Sequence, residues 1–139
     1  MRSSYFGDSM NRAAPLLAVR VVAAGPVHGQ GMEPVQELSL TPGNYHFSPD
    51  TLQVHAGRPV RLTLSNTGTL TPHNFTLQAG NAGLNIDTDV SAGRKTVVEC
   101  TPVKAARYVF FCNKKLPFMK SHRERGMEGT LEVLPATAD

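Results

Sequence analysis

From Leu38 onward the chain alternates apolar and polar positions in short runs, each closed by turn residues. Val60, Leu62 and Leu64 fall on one side and Arg61, Thr63 and Ser65 on the other. That is the two-residue period of a strand with one buried face. His73, Phe75 and Leu77 form a second set of this kind, and Thr96, Val98 and Cys100 a third. Arg107 to Cys112 reads as an aromatic-rich strand, and Thr130 to Leu134 closes the series with Leu131 and Val133 inward. Ser48-Pro49-Asp50, Ala56-Gly57 and Asn66-Thr67-Gly68 mark turns between the runs. Asn81 to Ser91 is assigned to a loop, and no segment carries a helical period. Antiparallel strands in this number, within about 100 residues, predict an all-β Greek-key sandwich or barrel.

Residues 1–36 lack any such period and are read as a leader or tail, leaving 37–136 as the one domain. The apolar stretch Ala13 to Gly25 is a weak export signal, because Arg20 interrupts it. No apolar run reaches the length of a membrane span. The 139 residues suffice for a core without disulfide staples. Gly 12 and Pro 10 suit a fold rich in turns. A net charge of +3 with no accompanying motif gives no case for nucleic acid.

The candidate chemistry lies in three segments. They are Thr71-Pro72-His73-Asn74-Phe75, Tyr108-Val109-Phe110-Phe111-Cys112, and His122 through Gly129. They offer one histidine from mid-chain, then Cys112, His122 and Met127 from the stretch before the last strand. A thiolate and two imidazoles with a weak thioether suit copper cycling between two oxidation states. Strand parity puts His73 with Phe75 and Leu77, Cys112 with Tyr108 and Phe110, and Met127 with Leu131 and Val133. All three can then converge at one end of a sandwich. Met119 is a rival for Met127, and zinc is a chemical alternative for the Cys and His donors. Cys100 falls beside Val98 and is read as a buried, inert thiol. His28, His46 and His55 have no partners at ligand spacing.

These segments resemble the cupredoxins. The resemblance rests on His73-Asn74, Phe110-Phe111-Cys112, His122 and Gly126-Met127-Glu128-Gly129, and covers roughly residues 38–135. It implies one type 1 copper ion held by His73, Cys112, His122 and Met127, with Met127 preferred to Met119. It also implies that Asn74 ties the two ligand segments together by hydrogen bonds. His122 lies ten positions after Cys112, and Pro117 and Met119 fall between them. That long loop resembles the type 1 site of copper nitrite reductases. Their catalytic copper needs a histidine beside the cysteine, however, and Cys112 is flanked by Phe111 and Asn113.

The expected function is one-electron carriage rather than catalysis, with copper handling for resistance or delivery as the alternative. The expected location is periplasmic or otherwise extracytoplasmic. Lys114, Lys115, Lys120, Arg123 and Arg125 surround Leu116-Pro117-Phe118. A basic rim around a small apolar patch suits docking of an acidic redox partner, such as a cytochrome or oxidase.

Overall fold

The alternating runs need a second layer to cover their apolar faces, and two packed sheets provide it. A computed structural model describes residues 33–137. It contains β1 (Gln36–Gly43), β2 (His46–Ser48), β3 (Thr51–His55), β4 (Val60–Ser65), β5 (His73–Ala79), β6 (Leu84–Val90), β7 (Lys95–Cys100), β8 (Ala106–Phe111) and β9 (Glu128–Leu134). One sheet has the order β2-β1-β4-β7, the other β3-β9-β8-β5-β6. Short 3₁₀ turns at Gly80–Ala82 and Arg123–Arg125 are the helical elements among the described residues. The expected leader falls mostly on residues 1–32, which lie outside them.

The inward sets meet as expected. Leu40, Leu62, Leu64 and Val98 from the first sheet join one buried cluster with Leu52, Val54, Phe75, Leu77, Phe110, Leu131 and Val133 from the second. Each fully buried leucine or phenylalanine contributes about 1.5–3 kcal/mol of transfer free energy. Three aromatics organise the end of the core nearest the candidate ligands. Phe75 stacks on Phe110 with centroids 5.0 Å apart, and Phe47 meets Phe110 edge-on at 5.1 Å. Gly129 pairs with Phe110 across β8 and β9. A Cβ at Gly129 would run into the Phe110 ring and the Asp50 carbonyl, so only glycine allows this approach.

Two expectations need correction. Asn81–Ser91 is not simply a loop, because Leu84–Val90 forms β6 and pairs antiparallel along the whole of β5. Its Asn85, Asp87 and Asp89 disfavour strand in isolation. They face outward on an edge strand, while Leu84 and Val90 are buried. The sheets are also mixed: β1 runs parallel to β4, and β3 parallel to β9. The apolar period fixes which face is buried but not which strand lies alongside.

Candidate metal centre

The antiparallel pairing of β5 with β8, Thr76 opposite Phe111, brings two ligand segments side by side. His73 opens β5 with its side chain buried. Cys112 follows the last residue of β8, with its side chain fully buried. Asn74 couples them. Its backbone N–H donates to Cys112 Sγ at 3.3 Å. Its side-chain oxygen accepts the backbone N–H of Asn113 at 2.8 Å. Its amide nitrogen donates to Asn113 Oδ1, Thr76 Oγ1 and Asp87 Oδ1 at 2.6, 3.1 and 3.0 Å. The tie expected of Asn74 is therefore present, and Asn113, Thr76 and Asp87 complete it.

The loop after Cys112 is pinned by its own backbone. The N–H of His122 donates to Lys114 O at 2.8 Å, that of Met127 to His122 O at 3.0 Å, and that of Cys112 to Met127 O at 3.1 Å. Gly126 turns the chain with φ of +96°, a conformation that suits glycine. Cys112, His122 and Met127 are thus joined in one circuit, and the Met127 side chain is fully buried behind it.

The donor atoms converge. Nδ1 of His73 and Nδ1 of His122 are 3.2 Å apart. Cys112 Sγ is 3.4 Å from the second and 3.9 Å from the first. The centre of this triangle lies about 2 Å from each atom, close to ordinary metal–nitrogen and metal–sulfur bond lengths of about 2.0–2.3 Å. Among the described residues these three make the one group of His, Cys, Asp or Glu donors close enough to hold an ion. Burial pushes His73 down to about 4, with His122 adding to the shift. Burial, then the charges of Arg125 and Lys114, lowers His122. Burial raises the Cys112 thiol, while the N–H of Asn74 pulls the other way. Two uncharged imidazoles and a thiol facing one buried point are a poor arrangement without a cation and a good one with it.

A family model described as a cupredoxin-like domain matches residues 15–127. The chain belongs to the cupredoxin-like family. Among solved structures, this cupredoxin-like domain is similar to the dithionite-reduced auracyanin of the photosynthetic bacterium Roseiflexus castenholzii. The two are 22% identical with a TM-score of 0.58, over 72% of this chain and 98% of that one. Auracyanin A, a "blue" copper protein of Chloroflexus aurantiacus, gives 20% identity and a TM-score of 0.57, over 73% of this chain and all of that one. Copper nitrite reductase of Nitrosomonas europaea gives 17% identity and a TM-score of 0.60, over 73% of this chain but only 42% of the enzyme. At these identities the likeness is one of fold. No curated protein sequence matches the chain significantly.

The donor set of the cupredoxin-like domain fits one type 1 copper ion: two imidazoles and a thiolate in a triangle, with a buried thioether nearby. The rivals are placed differently. Met119 is 43% exposed. His46 and His55 contact the carbonyls of Asn44 and Pro135, and His28 lies outside the described residues. Cys100 and Cys112 are both free, and Cys100 is half-buried at the core's edge rather than fully enclosed.

His122 is far more enclosed than the loop that carries it. Its loop is exposed, but the residue itself is only 6% exposed. The ring of Tyr45 covers it edge-on, with centroids 5.0 Å apart. Beside it lies a cleft of about 320 Å³ lined by Tyr45, Leu70, Pro72, Lys114, Leu116 and His122 among others. Of the basic rim, Lys114 pairs with Asp89 at 2.7 Å and Arg123 with Glu128 at 3.3 Å. Among the described residues Lys115, Lys120 and Arg125 have no ion-pair partner.

Proposed function

We propose that this domain is a one-electron carrier whose His73, Cys112 and His122 hold one type 1 copper ion, with Met127 as its axial neighbour. The buried triangle of donors carries this reading. When bound, copper supplies one-electron chemistry between its two oxidation states. The chain's part is to hold the donors still. Asn74 fixes the sulfur, and the circuit through His122, Met127 and Cys112 fixes the loop, so little has to move when charge changes. The near-complete burial of all four side chains leaves no open position for a substrate, which favours carriage over catalysis.

The partner in this reading is a redox protein, such as a cytochrome or oxidase, meeting the cleft beside His122. Leu70 and Leu116 expose apolar surface there, and Phe118 lies exposed on the same loop as Leu116. Lys115, Lys120 and Arg125 supply the uncompensated positive charge of the rim, which attracts an acidic partner and is screened by salt. The accompanying location is periplasmic or otherwise extracytoplasmic. Fusing residues 1–36 to a reporter that is active only outside the cytoplasm tests it.

Titrating apoprotein with Cu(II) while following visible absorption tests the site. An intense band saturating at one equivalent, with a reversible one-electron wave and fast reduction by a cytochrome, is expected. Reversible Cu(I) capture without fast reduction would instead indicate copper handling. Absence of the band with both thiols free would overturn the copper site.

A further inference from the structure

The hairpin joining β1 and β2 is two residues long, since Gly43 pairs with His46. In the type I′ form such a turn has positive φ at both central positions and strongly prefers Asn-Gly. Here they are Asn44 at +49° and Tyr45 at +59°. Asparagine tolerates that region; a bulky aromatic there is an outlier whose cost must be met by something it contacts. The contacts of Tyr45 are specific. Its ring lies edge-on to His122 at 5.0 Å, and the guanidinium carbon of Arg125 sits 4.5 Å from its centroid. His122 and Arg125 belong to one turn, closed by the Arg125 N–H on His122 O at 3.1 Å. A ring from the four-stranded sheet is therefore held by both ends of the ligand turn, whose other ligands sit on the five-stranded sheet.

We propose that Tyr45 is a positioning residue for His122: a clamp from the opposite sheet that fixes the imidazole and shields its outer side, with Arg125 holding the clamp shut. Tyr45 is itself 37% exposed while His122 is 6% exposed, so the outer surface at this point is tyrosine rather than imidazole. The inference rests on the carrier reading and deepens it, because a fixed ligand moves little when charge changes and a covered one leaves less room for small anions to reach the metal. The geometry of the clamp does not itself depend on the metal.

The test compares wild type, Tyr45→Phe and Tyr45→Gly. Glycine is the residue this turn favours, so Tyr45→Gly removes the ring without endangering the hairpin. In apoprotein, labelling by diethyl pyrocarbonate is followed by peptide mass spectrometry, with exposed His46 as internal control. His122 is expected to react several-fold faster in Tyr45→Gly, and Tyr45→Phe to match wild type. In copper-loaded protein, azide is expected to change the visible spectrum of Tyr45→Gly only. Equal His122 labelling in all three proteins overturns the clamp. A wild type without a copper–thiolate band overturns the carrier reading and leaves the labelling comparison to decide the clamp.

Discussion

The backbone N–H of Asn74 points at the sulfur of Cys112 from 3.3 Å, while the Asn74 side chain bonds to Asn113, Thr76 and Asp87. One residue thus holds the sulfur, the first residue of the ligand loop and the edge strand. Asn74 and Thr76 are buried while Asn113 and Asp87 are exposed, and an abandoned donor or acceptor costs about 1–3 kcal/mol where it lies out of water. Asn74→Ala strips partners from the Asn113 N–H and side chain, and from Thr76 and Asp87. The expected loss of stability is about 1–3 kcal/mol, since Thr76 keeps its bond to Asp87 and both Asn113 and Asp87 are exposed. Urea unfolding of apoprotein measures it, and a loss below 1 kcal/mol would show that water replaces the network.

Gly129 gives a second prediction on a different link, packing rather than hydrogen bonding. Its missing side chain is what lets β9 lie against the Phe110 ring and the Asp50 carbonyl. Gly129→Ala forces one of them to move, and overpacking of this kind costs about 1–3 kcal/mol. Phe110 stacks on Phe75, two residues from His73, so the disturbance should also reach the ligands. The expected result is a lower unfolding midpoint together with a broadened copper band. Wild-type stability in Gly129→Ala would refute the close-packing argument.

The strand faces, the turns and the donor set were legible because each follows from a local pattern. His73 with Phe75, and Met127 with Leu131, needed only the two-residue period. What escaped depends on tertiary neighbours. Asp87 and Asp89 hid β6, although Asp87 is where Asn74 and Thr76 place their donors. Tyr45 carried no signal as a ligand-contacting residue, because the turn it occupies lacks the expected glycine. The shielding of His122 was equally invisible, since burial of a loop residue is decided by the hairpin that crosses it.

Acid should destabilise the metal-free protein well above the carboxylate range. His73 is held neutral by burial, its folded pKa about 4 against an ordinary 6.5. Between those values the unfolded chain binds the proton and the folded chain does not. Stability is therefore complete above about pH 6.5 and falls as pH drops toward about 4. His122, lowered by burial and by Arg125 and Lys114, acts in the same direction. Urea midpoints of apoprotein across this range check the slope. His73→Leu should flatten it, and an unchanged slope would assign the acid sensitivity to other groups.

Met127 and Met119 offer the sharpest division within the ligand loop. Met127 is sealed in the interior, and its backbone bonds to both Cys112 and His122; Met119 lies on the exposed stretch between them. Replacing methionine by leucine nearly conserves volume and costs less than about 1.5 kcal/mol, so a change in the metal's properties is not a folding artefact. Met127→Leu removes the thioether that the proposed site would use to tune the potential. A raised reduction potential and an altered visible spectrum are expected, with stoichiometry still one copper per chain. Met119→Leu should leave both unchanged. If Met119→Leu shifts the potential and Met127→Leu does not, the axial assignment reverses, and the loop must fold inward over the metal when copper binds.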